Sequence, residues 1–363
     1  MEFQGNPISC GFWSAIWLAC IVNSKKRAAR PEPSELVEEP LCQVERRSQL
    51  LLSIIALTLT FQGFQAHAAP FAYISNQLDD SVSVIDTQNQ QVVDTINVPG
   101  KPAGVAVSPD GKTIYISTPE AHGFAVLDGK QRQLKTTVNV SEGALGIAVS
   151  PDSKRIYVAD WFNNNVYVVA ADSLKIINKI AVGQSPSGLI VSPNNRWLYV
   201  ANRLDNSVSK IDTDKMAVVK TVPVGEHPFG LTLDNRGDRL YVANVKSDDV
   251  TVVETRPMQA LATIKVSMLP YATALALNDS RLFVTNQDDS SISVIDTETL
   301  KAIALIPVGD KPEGIATHPD DRYVYVANWF DGNVSVIDAR NLKVVNTIKT
   351  GEGSRGFGQF FGN

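Results

Sequence analysis

The stretch Leu198-Tyr-Val-Ala-Asn202, followed by Ser207-Val-Ser-Lys-Ile-Asp212, decides the fold, because the chain carries seven versions of it. Its aromatic recurs as Tyr73, Tyr115, Tyr157, Tyr199, Tyr241, Phe283 and Tyr325, each 42 residues after the last. A fixed period in this range marks an array of supersecondary units, and about 40–45 residues is the size of one four-stranded propeller blade. Working outward, each unit holds four apolar segments. In the fourth these are A (Gly188–Ser192), B (Leu198–Asn202), C (Ser207–Asp212) and D (Val218–Val224). Val, Ile, Tyr and Thr dominate them, as a pleated, half-buried surface prefers. The A–B turn reads Ser108-Pro-Asp-Gly111, Ser150-Pro-Asp-Ser153 and Ser192-Pro-Asn-Asn195. Proline presets φ at the second turn position, and Asp or Asn tolerates the next. The copies Asp234-Asn-Arg-Gly237 and Ala276-Leu-Asn-Asp279 drift but keep the length. No long window carries a 3.6-residue period, so the expected class is all-β.

The ends of the array set the topology. The first recognisable strand is a B (Ala72–Asn76) and the last an A (Arg355–Phe360). The C-terminal strand is therefore expected to complete the N-terminal blade and close a seven-bladed β-propeller of four-stranded blades over residues 71–363. Closure also removes a sheet edge that would template aggregation.

Residues 1–70 carry no repeat. Arg46-Arg47, the apolar run Leu50–Phe61 and Ala66-His67-Ala68 have the order of a secretory signal. The alternative, a membrane anchor, meets a run that is short for a span. The expectation is an unstructured or misassigned extension at 1–45, a signal peptide at 46–68, and a periplasmic or secreted domain with no transmembrane segment, monomeric. Cys10, Cys20 and Cys42 all precede the expected cleavage site, so the mature domain is read as having no disulfide, thiolate metal site or covalent haem. Net charge is −5, which argues mildly against a polyanion as the main partner.

The recurring Tyr-Val-Ala-Asn, the Ser-Val-x-Val-Ile-Asp-Thr and the Val-Gly-x-x-Pro-x-Gly linker resemble the YVTN β-propeller repeat family, and the layout resembles the YncE-type exported propellers. The resemblance covers roughly residues 71–363. It implies the fold strongly and activity weakly. Some YncE-type members are implicated in DNA binding; more distant seven-bladed relatives carry d1 haem or are lactonases or quinoprotein subunits. Fold does not fix function.

The A–B and C–D loops repeat with little change, whereas the B–C and D–A loops vary, and variable loops on a rigid scaffold are where function usually sits. At the position before the A-strand glycine the copies read Ala103, Leu145, Ser187, Phe229, Tyr271, Glu313 and Arg355. Glu313 and Arg355 are expected to pair across the ring closure, either for ligand or merely as a lock. After the B strand, two copies hold Trp161-Phe162 and Trp329-Phe330, four blades apart and so nearly opposite, and one holds Arg203. Exposed Trp and Phe often mark a binding surface; the bland alternative is local packing. Acids in these loops outnumber bases by about ten, most of them read as turn caps, with the Asp79-Asp80, Asp248-Asp249 and Asp288-Asp289 pairs only a weak calcium signal. His318 is read as structural, and His122 and His227 as too far apart to share a metal. No metal or cofactor is expected.

The main expectation is a non-catalytic propeller that binds a protein, a cell-envelope component or single-stranded nucleic acid at this face through Trp161, Phe162, Trp329, Phe330, Phe229, Tyr271, Arg203, Arg355 and Glu313. The alternative is a propeller enzyme or enzyme subunit, a lactonase-like hydrolase or a quinoprotein or haem dehydrogenase accessory, in which His227 and Glu226 matter.

Overall fold

The computed structural model describes residues 71–362. The extension and the signal expected at 1–68 lie outside the described residues. Among those described, strands account for nearly every element, with one short 3-10 turn at Pro119–Ala121, and no helix is long and apolar enough to cross a membrane.

The strands form seven blades; in blades 2 to 7 the hydrogen-bonded order follows the chain from A to D, and blade 1 takes its first strand from the C-terminal segment. In blade 4 the strands are Pro186–Val191, Trp197–Asn202, Ser207–Asp212 and Ala217–Pro223. The ring closes as the sequence implies, with one irregularity. Phe361–Gly362 pairs antiparallel with Phe71–Asn76, the Tyr73 amide donates to the Phe360 carbonyl at 2.9 Å, and the Arg355 amide to the Ser75 carbonyl at 2.8 Å. Between these points Phe357–Gln359 leans onto blade 2 and runs parallel to Gly104–Val107. The expected closing strand Arg355–Phe360 is thus not regular. Gly356 and Gly358, at φ +65° and +110°, supply the bends that a side chain would oppose.

The core lies between blades. Tyr157, Val166, Val168 and Ile180 of blade 3 pack on Val191, Leu198, Val200 and Ile211 of blade 4. Tyr73, Tyr157, Tyr199, Tyr241 and Tyr325 are all fully buried, so the aromatic that marks the repeat is a packing residue.

The other motif letters form one hydrogen-bond device. The B-strand asparagine is fully buried in blades 1, 4, 5, 6 and 7. In blade 4, Asn202 Nδ2 donates to Ser207 Oγ at 3.0 Å and Ser209 Oγ at 2.9 Å, while its Oδ1 accepts the Gly183 amide at 3.1 Å. Asn76 repeats the pattern with Ser81, Ser83 and Gly351. The glycine has to be a glycine, since a Cβ on Gly183 would stand 2.6 Å from Asn202 Cγ. A second glycine, on strand A, sets the blade spacing: a Cβ on Gly146 would fall 2.0 Å from the Ser187 carbonyl oxygen of the next blade, and one on Gly188 2.3 Å from that of Phe229.

Replacing Asn202 by Ala strands the Gly183 amide and removes the acceptor and donors that hold two strands. Urea unfolding should show a loss of about 2–4 kcal/mol with unchanged m-value, since each orphaned buried polar group costs about 1–3 kcal/mol.

Candidate functional site

At the B–C and D–A end, the residues before the A-strand glycines converge on the ring axis and close the channel. Phe229 and Tyr271 stack with centroids 4.0 Å apart. Phe357 meets Phe229 edge-on at 5.5 Å and Trp161 leans on it at 6.2 Å. Beside this aromatic layer, Arg355 Nε lies 2.6 Å from Glu313 Oε2, Arg355 Nη2 donates to the Tyr271 hydroxyl at 2.7 Å, and Gln287 Nε2 donates to Glu313 Oε1 at 2.7 Å. The ion pair is nearly dry, its side chains 14% and 9% exposed. Burial pushes the Tyr271 phenol far above its ordinary range, so it stays protonated. Burial opposes the Arg355 charge, but the Glu313 carboxylate and Tyr271 more than compensate and hold its pKa above the ordinary value. The Arg203 guanidinium lies over the Trp161 ring at 5.3 Å.

Six of the expected residues are therefore brought together: Trp161, Arg203, Phe229, Tyr271, Glu313 and Arg355. The other three are not. Trp329 Nε1 donates to Gln77 Oε1 at 3.2 Å and so ties blade 7 to blade 1, while Phe162 and Phe330 stand in solvent, 68% and 69% exposed. Gln287 and Phe357 were not singled out by sequence. Gln287 occupies the position equivalent to Trp161 and Trp329, and Phe357 lies in a glycine-rich closing turn, so neither stood out by type.

The acids of this face are largely spent on backbone. Asp80 and Asp248 accept the amides of Lys101 and Leu269 at 2.9 Å each, and Asp79 and Asp205 those of Glu352 and Gln184. Among the described residues no group of three or more His, Cys, Asp or Glu is placed to hold a metal. His318 is occupied, with Nε2 3.1 Å from Thr87 Oγ1 and Nδ1 2.9 Å from Asp320.

His227 is different. Its amide donates to Asn206 Oδ1 at 2.8 Å and its backbone sits at φ +54°, which fixes the residue in the D–A loop. Its Nδ1 is buried without a hydrogen-bond partner. Burial lowers its pKa below the ordinary 6.5, and the positive charges of Arg203 and Lys246 lower it further against the opposing pull of Glu226. At neutral pH it is an uncharged base beside two cations.

Three family models match successive parts of the chain. The YNCE-like beta-propeller model matches residues 58–148, the model for Lactonase, 7-bladed beta-propeller, matches 147–266, and the Cytochrome D1 heme domain model matches 234–356. The first match and the seven-bladed ring support a YncE-type propeller family for this chain. No curated protein matches. Among solved structures, a chain of Kuenenia stuttgartiensis hydrazine synthase is similar at TM-score 0.68 and 23% identity, over 77% of this chain and 99% of that one. A functionally unknown protein from Desulfotomaculum acetoxidans gives 0.69 and 15% over 79% and 99%. Dihydro-heme d1 dehydrogenase NirN, in complex with DHE, gives 0.61 and 16% over 81% and 76%. These three share the fold.

The matches correct the expectation of a non-catalytic binding propeller. Two of the family models that cover the site segments describe a lactonase and a haem domain, and the enzyme alternative fits them better. The physical reason is in the aromatics: Phe229 and Tyr271, read as a stacking platform, are buried and fill the channel.

The residues do not fit a haem at this site. A haem needs a planar slot and an axial donor. Stacking at 4.0 Å leaves no slot between Phe229 and Tyr271. The described residues contain no cysteine, and their histidines, His122, His227 and His318, lie in separate loops.

The ion pair is testable by itself. Arg355→Met should destabilise the protein by about 3–5 kcal/mol, because Glu313 is left buried and unpaired, and Arg355→Met with Glu313→Leu should recover most of that loss in the same urea experiment.

Proposed function

We propose that this propeller is a hydrolase acting on lactones, with its reacting centre at His227 on the B–C and D–A face. One observation carries the reading: the segment matched by the lactonase model, 147–266, is the one that supplies Arg203, Glu226, His227 and Lys246. In this reading the neutral imidazole takes a proton from a water molecule as the water oxygen bonds to the lactone carbonyl carbon. The ring C–O bond then breaks, and the proton passes to the leaving alkoxide, giving a hydroxy acid. Arg203 and Lys246 favour the negative charge that develops on the carbonyl oxygen. Trp161, under Arg203, offers an apolar face to the substrate ring. Glu226, exposed beside His227, steadies the imidazolium that forms transiently. The Arg355, Glu313, Tyr271 and Gln287 cluster is the rigid floor that holds this set in place.

A pH-stat assay of the purified protein with simple γ- and δ-lactones tests this. Hydrolysis should exceed the buffer rate, and His227→Ala should lower kcat/KM by about 10²–10⁴-fold. The base form is needed, and its pKa is lowered, so the rate should hold level as pH falls to 6.5 and decline only below it. Hydrolysis no faster than in buffer, or a His227→Ala variant with wild-type kinetics, would end the reading.

A further inference from the structure

The closed end leaves the opposite end of the channel as a pocket. A cavity of about 640 Å³ opens among the A–B turns and runs up to Phe357, which separates it from the site above. Its size falls in the range of small-molecule sites, about 300–1,000 Å³. The innermost strand of each blade has a neighbour on one side only, apart from the contact of Phe357–Gln359 with blade 2. The walls therefore offer backbone edges as well as small apolar side chains such as Ala148, Ala274 and Ala316.

One wall residue breaks the pattern. At a single register on strand A the blades carry Val105, Ile147, Leu189, Leu231, Ile315 and Phe357, but blade 6 carries Thr273. Thr273 lines the cavity and is only 6% exposed, yet its Oγ1 has no hydrogen-bond partner. By contrast the hydroxyls of Thr232 and Thr317, on the same wall, are satisfied by the Thr273 and Leu275 carbonyls at 2.7 and 2.6 Å. A buried unpaired hydroxyl costs about 1–3 kcal/mol unless something occupies it.

The rim of the cavity, at the A–B turns, is acidic. Asp279 and Asp321 line it, each using Oδ2 to accept a neighbouring turn amide, Asn235 at 2.8 Å and Asn278 at 2.5 Å. Burial raises the Asp279 pKa above the ordinary 3.8, helped by Asp234 and Asp321 close by, against the hydrogen bond from the Asn235 amide and the charge of Arg236. The turn that carries Asp279 lacks the usual proline and has three successive residues, Leu277, Asn278 and Asp279, at φ +56°, +55° and +63°. Non-glycine residues rarely accept that conformation.

We propose that this cavity is a second ligand site, for a small apolar molecule that bears an ammonium group, with Thr273 Oγ1 hydrogen-bonding the body of the ligand and Asp279 and Asp321 holding its charge. The site stands on the cavity and its residues and is independent of the hydrolase reading.

Benzylamine, with benzyl alcohol as its neutral counterpart, is the probe, and calorimetric titration of the full chain the measurement. Benzylamine should bind saturably and more tightly than the alcohol. Thr273→Val, which keeps the shape, should weaken it about five- to tenfold, one hydrogen bond's worth. Asp279→Asn should erase the preference for the amine. A cavity-filling variant, Ala274→Leu, should abolish binding of both while the urea midpoint shows that it folds. No binding of either probe at about 10 mM, weaker than any useful site, overturns the proposal. So does a Thr273→Val variant with unchanged affinity, or a crystal grown with benzylamine that holds only water on Thr273.

Discussion

The ring depends on a buried amide. Each full copy of Asn76 or Asn202 joins the B strand to the serines of strand C and to the glycine that leads into strand A. Without that acceptor the D–A loop would have to present its amides to water, and its path over the blade would be free. With it, the loop is pinned, strand A starts at a fixed height, and the next register position points at the axis. The layer that closes the channel thus rests on buried polar groups at one register around the ring, with the full device at Asn76 and Asn202 and the asparagine donor kept in blades 5, 6 and 7. Where the asparagine is replaced, by Thr118 in blade 2 and Asp160 in blade 3, the position is still buried and polar. In blade 3, Asp160 turns to caps of its own loop at Phe162 and Asn163.

Against this uniform frame, sequence differences at one register become differences of place. Ala103, Leu145 and Ser187 leave room on one side of the axis, and Phe229, Tyr271, Glu313 and Arg355 fill it from the other. A dry ion pair against stacked rings is expensive to build and strongly destabilising to break. Its presence at the axis of a repeat protein, where small apolar residues would close the hole as well, marks the end of the ring at which symmetry has been given up. His227, in the loop that precedes Phe229, inherits its position from the same frame through Asn206.

The fold was legible because a 42-residue period survives drift in any one copy; the tyrosine, the asparagine and the turn proline each vote for the same blade. The closing strand was legible in topology but not in detail, since Gly356 and Gly358 permit a path that no alternation pattern encodes. The axial register was legible too, and it placed Phe229, Tyr271, Glu313 and Arg355 correctly at one point. What the sequence could not tell was whether those aromatics face a ligand or one another. That depends on how far the innermost strands approach, which is set by glycines such as Gly188 and by the carbonyls they admit. The surplus of acids was legible in the same way: read mostly as turn caps, Asp79, Asp80, Asp205 and Asp248 are hydrogen-bond acceptors for loop amides, so their number reports loop geometry more than ligand charge.

Dividing the channel has a further physical effect. A layer one aromatic ring thick separates the acidic pocket below from the cationic group of Arg203, Lys246 and neutral His227 above. Phe357 touches both sides, lining the lower cavity while its ring meets Phe229 and the Arg355 guanidinium at 5.5 and 5.6 Å. A close-packed layer of this kind does not deform gradually. An occupant pressing on Phe357 from below has Phe229 and Arg355 as its immediate neighbours above, and Trp161 is one ring further on. The two ends therefore share a wall rather than a solvent path, and any influence of one on the other has to pass through the packing of these few side chains.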